Sequence, residues 1–122
     1  MSPRRDRPRE AALELLRAVR ADDAYANLVM PQLVRPLDTR DAGLATELAY
    51  GTLRWQGWYD AVLQQCVTRP WAKVEHDLVD VLRLGTHQLL AMRIPDHAAV
   101  TSSADLARGL GAGPGADEVT AA

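Results

Sequence analysis

With 122 residues, the chain is long enough for one domain and too short for two. Its residues are 48% hydrophobic but only 5% aromatic, without Phe, which favours packed helices filled by Leu, Ala and Val over a β-sandwich. The formal net charge of -2 does not suggest a nucleic-acid binder, the single cysteine excludes an internal disulfide, and no apolar segment approaches the ~20 residues of a membrane span.

The N-terminus carries a local concentration of positive charge. The first nine residues contain four arginines and one acidic residue, Asp6, which gives a local charge of +3. A basic arm on a mildly acidic body is typical of RNA contact, although a solvated, frayed terminus would have the same composition. No apolar stretch follows it, so it is not a secretory signal, and a cytoplasmic protein is expected. The arginines are Arg4, Arg5, Arg7 and Arg9.

Helical periodicity dominates residues 9–108, where apolar residues recur at spacings of three and four. Asp6 and Asp38 are suited to cap the first and third helices. A glycine inside a helix costs about 1 kcal/mol against alanine, so Gly51 predicts the close approach of a neighbouring helix, and Gly57 is expected to break the chain. The six predicted helices cover residues 8–20, 25–35, 39–55, 58–67, 75–92 and 97–108.

The remainder of the chain gives no sign of a strand. It contains no alternating apolar run and no Asn-Gly or Asp-Gly hairpin turn. Residues 109–122 are rich in Gly, Ala and Pro without periodicity, which indicates a flexible tail or linker. The predicted organisation is therefore a basic flexible arm at 1–8, an all-α domain at 9–108 and this tail.

No constellation of residues predicts catalysis or metal binding. His76 and His87 would lie about 16 Å apart on one helix, too far to share a metal ion. Cys66 falls on an apolar helix face and is interpreted as a small core residue. Asp77 and Asp80 are interpreted as part of a solvated face. We therefore expect no metal, no cofactor and no enzymatic activity in this chain.

The tryptophans are candidates for stacking on bases, although such residues are more often core or half-buried anchors. Trp55 continues an apolar stripe and is the most core-like of the three. Trp71 lies in a predicted loop beside Arg69 and is the most available.

Three segments together resemble a known family. They are RPREAALELLRAV with the nearby AYANLVMPQLV, then DTRDAGLATELAYGTLRWQGWYDAVL, then VLRLGTHQLLAMRIPDHAAV with DLAR. This series resembles the NusB-like domain at the front of bacterial 16S ribosomal RNA cytosine-5 methyltransferases of the Sun/Fmu type. ELAYGTLRW is the most specific part, and the resemblance covers about residues 7 to 108.

The resemblance implies an orthogonal helical bundle that helps engage ribosomal RNA. It also implies that a methyltransferase domain of the same protein follows, which would bind S-adenosylmethionine and carry the catalytic cysteines. Cys66 matches neither of those cysteines. Family members usually continue after DLAR into another helix, where this chain has GLGAGPGADEVTAA. A missing helix would leave part of the core exposed.

The resemblance also assigns the predicted RNA contacts. A basic N-terminal region binds RNA in such modules, which points to the four N-terminal arginines. Arg54, on the ELAYGTLRW segment, is a weaker candidate that could equally be a solvated surface residue. Independently of the resemblance, Trp71 in its predicted loop could stack on a base. Two alternatives remain open: a protein-interaction module that docks the methyltransferase domain through an apolar face, and a free-standing NusB-like transcription antitermination factor.

Overall fold

The computed structural model describes residues 5–110, whose regular secondary structure is entirely helical. Five α-helices follow one another, and a short 3₁₀ helix, Trp71–Lys73, lies between the third and the fourth. The all-α fold class predicted from the sequence is confirmed. The helices are α1 (Arg7–Asp22), α2 (Ala26–Val34), α3 (Thr39–Gln64), α4 (His76–Leu90) and α5 (Asp96–Gly109).

Capping residues define the starts of α1 and α3, as the sequence predicts. The Asp6 carboxylate accepts a 3.3 Å hydrogen bond from the backbone N–H of Arg9, and the Asp38 carboxylate accepts one of 2.8 Å from that of Asp41. Each bond satisfies an N–H group that has no partner inside its own helix. At the other end of α1, Asp23 adopts the left-handed conformation with φ of 52°.

The third and fourth predicted helices form one helix of 26 residues, so the expected break at Gly57 is wrong and residues 5–110 contain five α-helices instead of the predicted six. The buried positions of α3 keep the same helical register on both sides of this glycine. Packing along that stripe outweighs the ~1 kcal/mol that the glycine costs. The stripe consists of Ala45, Leu48, Ala49, Thr52, Tyr59 and Leu63.

Helix α3 is the central element of the bundle. It packs against α1, α2 and α4, while α4 also packs against α1 and α5. The interior is filled by aliphatic side chains, as the composition predicts. Since α5 is attached chiefly through α4, its other side is left uncovered by the described helices. The largest apolar side chains with almost no exposure are Leu15, Leu48, Leu78 and Leu84.

A charged network centred on Asp80 joins α1, α3 and α4. The expectation that Asp80 lies on a solvated face with Asp77 is wrong, because its side chain is only 1% exposed. Its carboxylate accepts hydrogen bonds from Arg20 (3.0 Å) and Arg83 (3.1 Å), and Arg83 also donates to both carboxylate oxygens of Asp60 at 2.7 Å. Burial raises the pKa of Asp80, and the two arginines offset part of that rise.

The close approach predicted at Gly51 is confirmed, and the neighbour is the imidazole ring of His87. A Cβ atom at residue 51 would overlap the Nε2 and Cε1 atoms of this ring. The ring is 2% exposed; its Nδ1 shares a 2.7 Å hydrogen bond with the Tyr59 hydroxyl, and its Nε2 lies 3.4 Å from Glu47. Burial and the Glu47 carboxylate raise the pKa of Tyr59, so the hydroxyl keeps its proton and can donate to the ring.

Two side chains that were predicted to face the core are exposed instead. Cys66 lies in the turn that follows α3. Trp55 is 52% exposed, because the register that carries Thr52 and Tyr59 into the core turns residue 55 towards its edge. The tryptophan with the most core-like sequence context is therefore open to solvent.

Candidate nucleic-acid interface

The arginines predicted to contact RNA lie at the start of α1, where their environments differ. Arg4 is outside the described residues. Arg9 is only 16% exposed, because its guanidinium donates to the Gln88 side chain of α4 at 2.9 Å and pairs with Asp6 at 3.2 Å. Arg9 therefore ties the first turn of α1 to α4.

Arg5 and Arg7 are the exposed members of this group. The Arg5 side chain is 68% exposed and forms a 3.3 Å ion pair with Glu10. Such a pair contributes about 0–1 kcal/mol, so a phosphate can replace the carboxylate at little cost. Arg7 is exposed and forms no ion pair with any residue that the structure describes. Both guanidiniums lie next to the N-terminus of α1, whose dipole also favours an anion.

The other two predicted RNA contacts lie on different elements. Arg54 is exposed on α3, and its guanidinium has no carboxylate partner between residues 5 and 110. Trp71 begins the 3₁₀ helix and is half-buried, with its ring packed against the hydrophobic core. The structure thus gathers Arg5, Arg7 and Arg9 at one helix end and carries Arg54 and Trp71 elsewhere.

The most exposed tryptophans lie on α3, whereas Trp71 was expected to be the most available. Trp58 is 65% exposed and Trp55 is 52% exposed. Trp55 directly follows Arg54 in the sequence, and Trp58 lies one helical turn after it. The signal that could have identified them is the unbroken register of α3. Once the helix is continued through Gly57, both indoles fall outside its buried stripe.

A groove of about 920 Å³ runs between α1, the end of α2 and the C-terminal half of α5. It lies on the side of α5 that α4 does not cover. Its rim carries charged side chains from α1 and α5. The apolar residues that line it include Leu13, Leu33, Leu37, Leu106 and Leu110.

The charges on the rim of this groove are largely balanced. Arg17 pairs with Glu14 at 3.1 Å, and Arg108 pairs with Asp105 at 2.9 Å. Arg5 is paired as described above, so Arg7 is the one groove arginine without a carboxylate partner in the described part of the chain. The groove therefore suits an apolar surface with polar edges better than a polyanion.

The histidines and acidic residues do not assemble into a metal site within the described range. No three His, Cys, Asp or Glu side chains of residues 5–110 are grouped so that they could hold an ion. His87 is buried, while His76 and His97 are exposed at the starts of α4 and α5. In the same range, no helix combines the length and the hydrophobicity needed to cross a membrane.

Known proteins similar to this chain point to one family. The NusB family pattern matches residues 6–118. A Mycobacterium tuberculosis protein with "methyltransferase" in its name is 50% identical over 110 residues, 86% of this chain and 24% of that protein. The ribosomal RNA small subunit methyltransferases B of Pseudomonas putida and Pseudomonas syringae are 39% and 37% identical over 93 residues, 76% of this chain and 21% of each enzyme. The chain thus spans less than a quarter of these relatives, and its match to the family pattern over nearly its whole length shows that it belongs to the NusB family.

Proposed function

We propose that this chain is a non-catalytic RNA-binding domain that helps a ribosomal RNA (cytosine-5) methyltransferase engage its substrate. The observation that carries the proposal is the set of relatives named ribosomal RNA small subunit methyltransferase B, in which the matching region is about a fifth of the enzyme. The exposed guanidiniums of Arg5 and Arg7 support it, because phosphate contacts supply much of the affinity for nucleic acids. The expected location is the cytoplasm.

The chemistry of methyl transfer belongs, in this proposal, to the rest of the protein, together with S-adenosylmethionine. Cys66 supports this division. Its thiol lies 3.5 Å from the carbonyl oxygen of Val62, and no histidine or carboxylate of the described residues contacts it. A cysteine nucleophile needs such a neighbour to become a thiolate at neutral pH.

Replacing Arg5 and Arg7 together with alanine tests the proposal. We expect weaker binding to a 16S ribosomal RNA fragment, since two phosphate contacts are lost. The slope of log affinity against log salt should become shallower by about 0.7–0.9 for each contact. Fluorescence anisotropy across a series of salt concentrations measures both quantities.

The matched control replaces Arg35 and Arg40, which are also exposed and without carboxylate partners in the described chain. It removes the same charge from other positions and should keep the slope of the unchanged protein. Equal losses in the two double variants would show that general charge, and not the start of α1, governs binding. A parent chain that binds no RNA would refute the proposal.

A second function is favoured by the groove beside α5: docking of the methyltransferase domain of the same protein. The leucines that line it and the paired charges on its rim are the features of a protein contact. Arg5 and Arg7 lie on the rim of the same groove, so a domain docked on the leucines would border the RNA held by these arginines.

Replacing Leu37 and Leu110 with serine tests docking. Both leucines are half-buried in the groove, and burying a leucine side chain contributes about 1.5–3 kcal/mol. Affinity for the separately produced methyltransferase domain should fall by tenfold or more, as measured by calorimetry. The control is Leu28→Ser on α2, where the leucine is 62% exposed and outside the groove. If the Leu37 and Leu110 double variant binds the methyltransferase domain as tightly as the parent and the Leu28→Ser control do, docking occurs elsewhere.

A further inference from the structure

Two large aromatic side chains stand out from the middle of α3. Trp55 and Trp58 are 52% and 65% exposed, although indole rings normally bury most of their area. Residues three apart on a helix are neighbours on its surface, with Cβ atoms about 5–6 Å apart. The two rings therefore form one exposed aromatic patch.

The residues around this patch leave it open and include one positive charge, that of Arg54. Arg54 precedes Trp55 and lies one helical turn before Trp58, and its guanidinium is exposed without a carboxylate partner among residues 5–110. Gly57 and Ala61, which are both exposed, flank Trp58. Ala61 is too short to cover the indole, and on the preceding turn Trp58 is bordered by Arg54 and Trp55.

Gly57 has no reason within the described structure to be a glycine. Beyond the adjacent backbone of its own helix, a Cβ atom at this position would have no atom within 4 Å, and alanine would stabilise the helix by about 1 kcal/mol. Gly51 on the same helix differs, since His87 occupies the space that its Cβ would need. Because residue 57 has no side chain, a ligand can approach the backbone of α3 closely next to Trp58.

We propose that Arg54, Trp55 and Trp58, the tryptophan face of α3, bind unpaired nucleotides of an RNA strand. The indoles stack on bases, and the guanidinium of Arg54 pairs with a backbone phosphate between or beside them. This inference rests on the proposed function and adds to it a second contact surface, on a different helix from Arg5 and Arg7, together with a preference for single-stranded RNA.

The chemistry of the face selects this ligand. A purely apolar partner would cover Arg54 without supplying a negative charge, which is unfavourable for a guanidinium. A nucleotide supplies both a flat π-surface and an anion, and stacking of this type is the usual way in which proteins hold single strands. A duplex is a poor ligand because its bases are already stacked on one another.

The test uses the whole chain and a fluorescein-labelled single-stranded RNA of about ten nucleotides, a length within the usual range of single-strand sites. Trp55→Leu with Trp58→Leu keeps apolar bulk and removes the indoles. We expect a loss of affinity of about tenfold for each stacked base. Trp55→Tyr with Trp58→Tyr should recover most of the affinity, since a phenol ring also stacks.

Arg54→Ala should weaken binding and reduce its salt dependence, whereas Arg40→Ala should not. Arg40 is exposed on the same helix, about 21 Å away along its axis. RNA should also quench the indole emission of the parent, and this quenching should be small in the double leucine variant, which retains Trp71 alone. Circular dichroism and a thermal melt verify that each variant is folded.

Two results would overturn the tryptophan face. One is unchanged single-strand affinity in the folded double leucine variant, which would leave the proposed function intact if the arginine contacts still bind RNA. The other is equal binding of the single strand and its blunt duplex. A parent chain that binds neither RNA rejects the tryptophan face and the proposed function together.

Discussion

Replacing Arg83 with leucine is expected to lower the free energy of unfolding by about 3 kcal/mol. Arg83 is 14% exposed and donates hydrogen bonds to Asp60 on α3 and to Asp80 on its own helix. The hydrogen bond to Asp60 is the main cause that raises the pKa of Arg83. Without the guanidinium, Asp80 stays buried with Arg20 as its remaining partner.

Urea denaturation measures this loss, and Arg108→Leu is the matched control. Arg83 and Arg108 each pair with an aspartate three residues earlier, but the Arg108–Asp105 pair is 61% and 66% exposed. Exposed pairs contribute little, so the control should stay within about 0.5 kcal/mol of the parent. Equal effects in the two variants would contradict the role given to burial.

The Arg83→Leu defect should also depend on pH in a defined direction. Burial raises the pKa of Asp80 and Arg83 lowers it, so the variant raises that pKa further. A carboxyl group with a raised folded-state pKa contributes stability that is present below its unfolded pKa and is lost as pH rises through the folded value. The difference between variant and parent should therefore shrink as pH falls towards 3.8, the ordinary value, and a constant difference would argue against Asp80 as its source.

Alanine at Gly51 and alanine at Gly57 should have opposite effects on stability, although both sites lie on α3. The Cβ at residue 51 would overlap the ring of His87, which its hydrogen bond to Tyr59 holds in place. Overpacking of this kind costs about 1–3 kcal/mol. At residue 57 the Cβ enters open space, and the change should stabilise the domain by about 0.5–1 kcal/mol.

Thermal and urea unfolding of the two variants, measured side by side, give the sign of each effect. Since the same atoms are added to the same helix, intrinsic helix propensity cancels in the comparison. Gly51→Ala should cost less in a His87→Ala background than in the parent, because the ring that its Cβ overlaps is then absent. If Gly51→Ala is as stable as Gly57→Ala, then His87 can move aside and the contact does not constrain the helix.

The helical fold could be predicted from the sequence because it depends on local patterns. Asp6 and Asp38 were identifiable as caps from residue type and position, and both accept the expected backbone hydrogen bonds. Gly51 was identifiable as a close contact, since a glycine inside a helix needs a reason. The identity of its neighbour was not, because His87 lies 36 positions away and only tertiary packing brings the two together.

The error at Gly57 came from treating a glycine as a stop signal. Its cost is small compared with the burial of Tyr59 and Leu63 beyond it, and that burial depends on α1 and α4 rather than on α3 alone. An unchanged spacing of apolar residues across a glycine is the better guide.

The candidate site could be predicted only in part, since exposure and pairing are tertiary properties. The sequence treats Arg5, Arg7 and Arg9 alike, yet Arg9 is enclosed by Gln88 and Asp6 while Arg7 stays open. The burial of Asp80 could not be predicted for the same reason. It depends on two arginine partners, and one of them, Arg20, lies on α1, 60 residues away in the sequence. The groove depends on three helices, so no local pattern indicates it.

The length of α3 has a mechanical consequence. Its 26 residues extend for about 39 Å without a hinge, and it contacts α1, α2 and α4 along the way. The residues near Trp58 and those near Thr39 therefore belong to one continuous element, whose position is fixed by three of the other α-helices. RNA held at the tryptophan face would then have a fixed orientation relative to a partner bound in the groove beside α1 and α2.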